Sequence, residues 1–419
     1  MPARSATILL RSAIGCGHTD ADPMRVLVLN AGSSSLKAAV LDPPDRTVVA
    51  AASADLGADA TRGPDLTGAV GRILDDLQSG GIEPDTIEAV GHRVVHGGTR
   101  YTGPTRVDEA LLSAIEALAA LAPLHNTVAA ASIRAAQNAM PAVPHVAAFD
   151  TAFHATLPRE AIAYAVPRAW AADWGIRRFG FHGLAVQWVA RRTAELLDRP
   201  DTGLRIVVAH LGSGCSVTAV DRGRSVDTSM GMTPLEGLVM GTRAGSIDPG
   251  ILLALLRDGR RRLAQLADDL DHRSGLLGLS GRSADIRELL TAEADGDDAA
   301  RLALTVFVRR AAAGIAAAAT SLSGVDAIAF SGGIGEHSAA VRRRIVERLG
   351  VLGVGPLPDE SPDADGADTA SDRVISDGPP AVVRVAARED VVIAESVVRV
   401  LGQVPGRPAS RLRPRLRSG

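Results

Sequence analysis

Short runs of apolar residues, most of them rich in Val and Ile, recur along the chain and are typical of β-strands. They occupy residues 25–30, 38–42, 89–97, 143–149, 205–211, 216–220, 327–330 and 381–386. Helical patterns lie at residues 125–140, 248–259, 299–324 and from 389 onward. Because strands alternate with helices, the pattern predicts an α/β fold.

Residues at the ends of the helical segments support this interpretation. The segment 248–259 begins with Asp248, an N-cap residue, continues with Pro249 and is followed by Gly259. The segment 299–324 is mostly apolar, which predicts a helix buried between layers. No run of 18 apolar residues occurs, so no membrane helix is predicted.

Two segments 180 residues apart share a strand–turn–strand pattern. Residues 26–41 read VLVLNAGSSSLKAAVL and residues 206–221 read IVVAHLGSGCSVTAVD, so Gly32 corresponds to Gly212 and Ala39 to Ala219. The period is too long for a solenoid and predicts two related domains, unless the likeness of two hairpins is a coincidence. We expect domain I at 24–152 with 390–403 and domain II at 153–389. Residues 1–23 would form an N-terminal extension and residues 404–419 a basic tail.

Composition narrows the classes of function. The chain has 419 residues, enough for two or three domains, and a formal net charge of −3 that offers no nucleic-acid surface. Its two cysteines, Cys16 and Cys215, match neither a disulfide framework nor a metal-ligand spacing and suit a reducing cytosol. The apolar run near the N-terminus is too short for a secretory signal. We therefore expect a cytoplasmic protein with no nucleic-acid or membrane partner.

The two Gly/Ser turns have the composition of phosphate-binding loops. Small side chains let a phosphate approach the backbone, where N–H groups and hydroxyls converge, and Lys37 adds a positive charge. Hairpin turns with surface serines are the alternative. A third loop, FSGGIGEH at 330–337, would also admit a ligand close to the backbone, or would form an ordinary turn. The chain contains neither a P-loop nor a G-x-G-x-x-G motif opening a helix.

Arginine and histidine residues stand in the other glycine-flanked motifs. Arg93 lies in GHRVVHGG, His182 in RRFGFHGLA and Arg243 in GTRAGSIDPG. Guanidinium groups bind carboxylate and phosphate oxygens in pairs, which favours an anionic substrate, with surface salt bridges as the alternative. Asp150 ends an apolar strand, where α/β proteins collect catalytic groups, although a capping role is the alternative.

Other histidines carry weaker signals. His92 and His96 are four residues apart on a predicted strand with no third ligand nearby, so we expect no metal there. His125, His154 and His210 fit a functional role and a hydrogen-bonded place in the core equally well.

Seven motifs in chain order together resemble the acetate kinase family. They read NAGSSSLK, HRVVHGG, AFDTAFH, RRFGFHG, AHLGSG, MTPLEGLVMGTRAGSIDPG and SGGIGEH, and the likeness covers residues 24 to about 402. The resemblance implies two related domains of the actin-like ATPase (ribonuclease H-like) type with a nucleotide cleft between them. It also implies reversible Mg²⁺-dependent phosphoryl transfer from ATP to acetate, with Mn²⁺ as a substitute metal, by a homodimer.

The resemblance also implies roles for individual residues. The catalytic residues would be Asp150, His182 and Arg243, and the metal would be held by Asn30 and Glu389. Acetate would be bound by Arg93, Val95, Leu124, Phe181 and Pro234. ATP would be bound by Ser33, Ser35, Lys37, His210, Leu211, Gly212, Ser213, Gly214, Asp285, Ile286, Arg287, Gly333, Ile334, Gly335, Glu336 and His337. A carboxyl group with an ordinary pKa of about 4 is already ionised at neutral pH, so Asp150 would position Arg93 or a metal-bound water rather than act as a base.

The chain departs from the family pattern at a few of these positions. Ser213 and His337 stand where the family usually has Asn, and Ile286 where it often has an aromatic residue. The sequence RED at 388–390 replaces the usual NEE. An aliphatic residue at 286 would remove ring stacking on the nucleotide base, so preference for ATP is left open.

Three other functions remain alternatives. A propionate or other short-chain carboxylate kinase differs by a methylene, which a pocket distinguishes by about 1–3 kcal/mol. A non-catalytic nucleotide-binding protein of the same fold would not need the charged residues together. A sugar kinase of the same superfamily would need a catalytic base for a neutral hydroxyl and would leave Arg93 without an anionic partner.

Overall fold

The computed structural model describes residues 24–32, 35–43, 45–56, 65–120, 123–358 and 372–402, without the side chains of Ala120, Pro123 and Leu124. The expected N-terminal extension, the basic tail, Cys16 and Ser33 lie outside these residues. The chain divides into unit 1, up to Ala152 and again from Glu389, and unit 2, Phe153–Arg388. Glu389, which we assigned to the second domain, therefore belongs to unit 1.

Twelve strands, numbered along the chain, form two sheets in the described residues. Unit 1 contains β1 Arg25–Ala31, β2 Ser35–Asp42, β3 Thr47–Asp55, β4 Ile87–Val94, β5 Thr105–Arg106 and β6 His145–Phe149. Unit 2 contains β7 Arg205–Leu211, β8 Cys215–Asp221, β9 Arg224–Thr228, β10 Ala327–Ser331, β11 Arg373–Val374 and β12 Ala381–Arg384.

Helices pack on both sheets. Unit 1 contains α1 Leu66–Ser79, α2 Glu109–Ala117, α3 Pro123–Ala139 and α14 Glu389–Gly402. Unit 2 contains α4 Arg159–Ile162, α5 Arg168–Trp174, α6 Gly183–Leu196, α7 Pro249–Arg257, α8 Leu263–His272, α9 Gly275–Ser280, α10 Ile286–Ala294, α11 Asp298–Ala319, α12 Gly332–His337 and α13 Ala339–Val346. Short 3₁₀ segments lie at Pro84–Thr86, Leu118–Ala120, Ala152–Thr156, Asp201–Gly203 and Gly350–Leu352.

The two sheets have the same topology. The strand order is β3-β2-β1-β4-β6-β5 in unit 1 and, in the same sense, β9-β8-β7-β10-β12-β11 in unit 2. In each sheet three parallel strands lie together and the other three strands are antiparallel to their neighbours. This confirms the predicted α/β class and shows that the two hairpins belong to related structures rather than to a coincidence.

The repeat shifts by one residue at its turn. The first strands, Arg25–Ala31 and Arg205–Leu211, keep the 180-residue offset. Val28 pairs with Ala39, whereas Val208 pairs with Thr218, so the second strands correspond at an offset of 179. The match of Ala39 with Ala219 was therefore wrong, because three residues separate the paired Leu211 and Cys215, whereas four separate the paired Ala31 and Leu36.

Sequence patterns missed the strands of low β propensity. β3 has the sequence TVVAAASAD, and its alanines are not favoured in strands, while β5 and β11 have two residues each. β9, with the sequence RSVDT, was missed as well because only one of its five residues is apolar. Central strands were predicted well because they are apolar along their length, as in β6, where all five residues are buried.

Helix α7 begins at its predicted N-cap residue. Asp248 caps α7 by accepting a hydrogen bond from the Gly250 N–H at 2.8 Å.

Among the described residues, α11 is long and apolar enough to cross a membrane, which differs from our expectation. Half of its most apolar 18-residue stretch is buried inside the protein. Core helices of soluble proteins share this length and composition, and α11 packs on β7 and β8.

Candidate active site

Four predicted residues of unit 1 meet at one edge of its sheet. Asn30 lies near the end of β1, Arg93 near the end of β4, and Asp150 directly after β6. These strands are parallel neighbours, so their carboxyl ends lie side by side. Glu389 joins them as the first residue of α14, a helix that packs on the same three strands.

Arg93 is the centre of this group. Its Nη2 donates to Asp150 Oδ2 at 2.7 Å, and its Nε lies 3.2 Å from each Asp150 oxygen. Its Nη1 donates to Asn30 Oδ1 at 3.1 Å, and Asn30 Nδ2 donates to Glu389 Oε2 at 3.0 Å. Arg93 Nε also lies 3.5 Å from Glu389 Oε2. Two carboxylates and one amide therefore fix the plane of the guanidinium group.

Burial and charge set the protonation of this group. Burial lowers the pKa of Arg93, but the carboxylates of Asp150 and Glu389 together outweigh it and raise the pKa, so the guanidinium stays charged. Burial also raises the pKa of Asp150 to about 6, with Glu389 acting in the same direction and Arg93 against it. Our expectation of an ordinary carboxyl pKa was wrong, because Asp150 is buried beside a second carboxylate.

The donor set around Asn30 suits magnesium. Mg²⁺ prefers oxygen ligands and is commonly held by one or two carboxylates together with substrate phosphates and waters. Asn30 Oδ1 and the carboxylates of Glu389 and Asp150 are such oxygens, joined in one network. In the part of the chain that the structure describes, no three His, Cys, Asp or Glu residues form a metal-binding group. The residues therefore fit a metal that shares its ligands with a substrate.

In unit 2 the turn after β7 receives two further predicted residues. A methyl group on Gly214 would lie 2.9 Å from Arg243 Nη2 and 3.3 Å from His182 Nε2. Because Gly214 has no side chain, the Arg243 guanidinium and the His182 imidazole can both pack against the turn. Gly212 N–H donates to the Gly214 carbonyl at 2.9 Å, which closes the turn.

His182 is held from several sides. It has a left-handed backbone, with φ of 60°, at the start of α6. Its Nδ1 lies 3.0 Å from Ser216 Oγ, and its ring centroid lies 4.6 Å from that of His210. His154, which we left open between core and site, is a core residue: its ring nitrogens lie 2.9 Å from Ser225 Oγ and from the Phe181 carbonyl oxygen.

Arg243 is fixed by one backbone carbonyl. Its Nη1 donates to the Pro234 oxygen at 2.7 Å. Burial lowers the pKa of Arg243, with Cys215 and Asp271 acting in the opposite direction. Cys215, which is buried, donates from Sγ to the Gly212 oxygen at 3.2 Å, and burial raises the pKa of its thiol to about 12. Cys215 is therefore a neutral thiol that braces the turn.

The predicted nucleotide loop at 330–337 carries one inward carboxylate. Glu336 Oε1 accepts hydrogen bonds from the Gly332 N–H at 2.8 Å and the Ala387 N–H at 2.9 Å. Arg342 donates to the carbonyls of Gly335 and Glu336 at 2.9 and 2.8 Å. The Glu336 side chain thus fixes the start of α12, where Gly335 is buried, Ile334 is half-buried, and Gly333 and His337 are exposed.

The segment 285–287 differs from its predicted role. Asp285 caps α10 by accepting from the Arg287 N–H at 2.8 Å, and its carboxylate also binds the Arg287 guanidinium. Ile286 is 3% exposed, so its side chain offers no surface to a nucleotide base. The exposed side chain next to position 286 is that of Arg287, so Arg287 rather than Ile286 has surface to offer a nucleotide base.

The other predicted residues take the following places. Val95, Phe181 and Leu211 are buried, Ser35, Gly212, His210 and Pro234 are half-buried, and Lys37 and Ser213 are exposed. The Leu124 side chain and Ser33 lie outside the described residues. His92 Nε2 lies 2.9 Å from His145 Nδ1, so the two imidazoles are hydrogen-bonding partners.

Sequence reasoning missed the residues that support this site. Ser216 binds His182, and Arg178, Tyr164 and Glu236 bind one another beside the loop that carries Pro234. Arg178 and Glu236 stand inside two motifs quoted above, RRFGFHG and MTPLEGL. Arg178 and Glu236 are 58 residues apart in the sequence, so no local spacing pattern could have predicted that they pair.

Comparison with known proteins points in one direction. A sequence profile described as the acetokinase family matches residues 25–395. An acetate kinase of Deinococcus radiodurans is 45% identical over 395 residues, covering 90% of this chain and 98% of that protein. One of Deinococcus deserti is 48% identical over 347 residues, covering 79% and 86%.

Solved structures agree with the sequence relatives. A propionate kinase from Francisella tularensis has a TM-score of 0.80 and 36% identity, covering 89% of this chain and 98% of that one. An acetate kinase from Porphyromonas gingivalis has a TM-score of 0.79 and 32% identity, covering 90% and 100%.

Proposed function

Because the chain belongs to the acetokinase family, we propose that it transfers the γ-phosphoryl group of ATP to acetate, giving acetyl phosphate and ADP reversibly. The observation that carries the proposal is the partly buried Arg93 guanidinium, held in a fixed plane by Asp150 and Asn30. A guanidinium group has five N–H donors, and these contacts use three of them. One donor on each Nη atom remains for the carboxylate of acetate.

The reaction needs no base on this side. An acetate oxygen, already ionised, attacks the γ-phosphorus, and the bond to the β-phosphate oxygen breaks with its electron pair leaving on ADP. Asp150 holds Arg93, which orients the acetate for in-line attack. Mg²⁺ on Glu389 and Asn30 would neutralise phosphate charge. No protein proton has to move during the transfer.

Arg243 and His182 act on the transferring group. Phosphoryl transfer passes through a loose transition state whose charge lies on the equatorial oxygens. Arg243 and His182, packed against Gly214, would donate hydrogen bonds to these oxygens. An arginine in this role contributes about 10³–10⁵-fold in rate. Gly212, Gly214 and the loop at 332–337 would hold the nucleotide.

Propionate is the second candidate substrate. The Francisella relative is named a propionate kinase, and one methylene changes specificity by about 10–200-fold at most. The two Deinococcus relatives, at 45% and 48% identity, are named acetate kinases. We propose acetate as the preferred substrate, with slower use of propionate.

We also propose that the protein acts as a homodimer in the cytoplasm. Helix α7 has the sequence PGILLALLR, and none of its residues is buried in the chain. Its exposed residues Ile251, Leu253 and Leu256, with Leu263 nearby in sequence, are 51%, 60%, 40% and 74% exposed. Apolar surface of this kind commonly marks a protein interface.

A hydroxylamine trap for acyl phosphate tests the activity. Acetate, propionate, butyrate and glycerol are compared with MgATP, using wild-type protein and Arg93→Ala. We expect product from acetate above propionate, and a loss of about 10³-fold or more in Arg93→Ala because the carboxylate loses its partner. Arg134→Ala, which removes an exposed arginine in unit 1, is the control.

Two outcomes would contradict the proposal. No acyl phosphate from any carboxylate, with nucleotide still bound, would favour a non-catalytic nucleotide-binding protein. Equal or faster reaction with butyrate would exclude acetate as the preferred substrate.

A further inference from the structure

The loop at residues 229–237, here called the anchor loop, holds Arg243 in place. Arg243 Nη1 donates to the Pro234 carbonyl at 2.7 Å, near the middle of the loop. A short hydrogen bond from a charged donor is about twice as strong as a neutral one and fixes the direction of the guanidinium. The position of one backbone oxygen therefore decides where Arg243 points.

Arg178 fastens both sides of the anchor loop. Its Nη1 donates to the carbonyls of Ser229 and Met230, at 3.1 and 2.8 Å. Its Nη2 donates to Glu236 Oε1 at 2.9 Å. One guanidinium group thus joins the beginning of the loop to a side chain near its end.

Tyr164 completes the fastening. Its hydroxyl donates to Glu236 Oε2 and accepts from the Met232 N–H, the latter at 2.9 Å. Arg178 lies over the Tyr164 ring, with 5.3 Å from its guanidinium carbon to the ring centroid. Burial, followed by Glu236, raises the pKa of Tyr164 to about 12, so the hydroxyl keeps its proton at neutral pH.

The side chains of Tyr164 and Glu236 pack against Gly231, which contacts the segment before His182. A methyl group on Gly231 would overlap the Glu236 carboxylate and the Tyr164 hydroxyl, so the network requires the bare backbone there. The Gly231 carbonyl accepts hydrogen bonds from Phe179 N–H and Gly180 N–H at 3.1 and 3.2 Å. These residues lie just before His182, so the loop borders both groups proposed to act on the phosphoryl oxygens.

We propose that Arg178, Tyr164 and Glu236 are positioning residues that set Arg243 for phosphoryl transfer through the anchor loop. The inference rests on the proposed function. It differs from a purely structural role in the group that it acts through, because the anchor loop supplies the carbonyl that binds Arg243. The side chains of Arg178 and Glu236 are 18% and 34% exposed, so the rate must be measured beside the melting temperature.

The test compares Glu236→Gln, Tyr164→Phe and Arg178→Lys, each alone and combined with Arg243→Ala. We expect kcat to fall about 10–100-fold, the cost of displacing a transition-state group by an ångström or less. KM for acetate and MgATP should change by less than about twofold, because Arg243 acts mainly in the transition state. Arg178→Lys keeps the charge and should lose less than Arg178→Ala.

Combining each substitution with Arg243→Ala distinguishes positioning of Arg243 from an independent effect on the rate. If the three residues act through Arg243, their substitution should slow Arg243→Ala no further, because the group that they position is gone. Arg205→Lys weakens a comparable ion pair with Asp326 elsewhere in unit 2, 2.9 Å in length, and serves as the control with unchanged kcat. Thermal unfolding and calorimetric binding of MgADP monitor folding in every variant.

The outcomes are distinguishable. Non-additive losses in kcat at unchanged melting temperature and MgADP affinity support the inference. Losses that multiply those of Arg243→Ala, or variants that melt earlier with unchanged kcat, overturn it. Wild-type protein that binds MgADP but makes no acyl phosphate contradicts the proposed function instead.

Discussion

Asp150 carries opposite demands from folding and from catalysis. Its pKa in the folded protein, about 6, lies above the 3.8 expected for the unfolded chain. Its contribution to stability is therefore fully present below about pH 3.8 and is lost as pH rises through about 6. The proposed reaction needs the opposite state, since only the ionised carboxylate holds Arg93. The active form thus keeps a buried charge at a cost in stability.

This conflict predicts the acid limb of the pH profile. We expect kcat/KM for acetate to fall as the pH drops through about 6, where Asp150 takes up a proton. In Glu389→Gln the limb should move to lower pH, because the second carboxylate no longer raises the pKa of Asp150. Initial rates over the pH range measure both.

Glu116→Gln, which alters an exposed ion pair with Arg134, is the control for this shift. An acid limb at the same pH in wild-type protein and Glu389→Gln would show that Asp150 does not govern it.

At the scale of elements, the turn after β7 works because Gly214 has no side chain. An added methyl would press on Arg243 Nη2 and His182 Nε2, which are side-chain atoms rather than backbone. Small rotations of these two side chains relieve the contact, so we expect the fold to tolerate the substitution. The displaced groups are those proposed to stabilise the transition state, so the cost appears in the rate.

Gly214→Ala should therefore separate activity from stability. We expect kcat to drop about 10–100-fold with a melting temperature within a few degrees of wild type, since ångström displacements suffice for such losses. Gly350→Ala is the matched control, because a methyl there meets no atom within 4 Å. A Gly214→Ala protein that is fully active would mean that Arg243 and His182 do not act from this position.

The sequence predicted elements and single residues better than their contacts. β7 has the predicted bounds because its apolar residues are buried in the sheet, while alanine-rich β3 carried no such signal. Motifs placed Asp150 at the end of a strand and Arg93 in another strand, whereas their closeness follows from the parallel pairing of β4 with β6. The pKa of Asp150 and the tethers of the anchor loop depend on burial and on loop paths, which no local pattern records.

At the scale of the whole molecule, the exposed apolar residues of α7 form the surface that we propose as the homodimer interface. Each Leu or Ile side chain that becomes buried contributes about 1.5–3 kcal/mol. We expect Leu253→Glu combined with Ile251→Glu to convert the dimer to monomer in analytical ultracentrifugation.

Leu302→Glu provides the control, because Leu302 is 54% exposed on a different helix. Wild-type protein that sediments as a monomer, or a dimer that survives both glutamates, would exclude α7 as the interface.

The discontinuity of unit 1 has a consequence for synthesis. Unit 2 is one continuous stretch, whereas unit 1 is completed only by α14, the last helix described. Domains fold as units while the ribosome adds about 5–20 residues per second. Unit 2 can thus finish folding on a nascent chain while Arg93 still lacks Glu389. The order of translation would keep a partly made chain from consuming ATP.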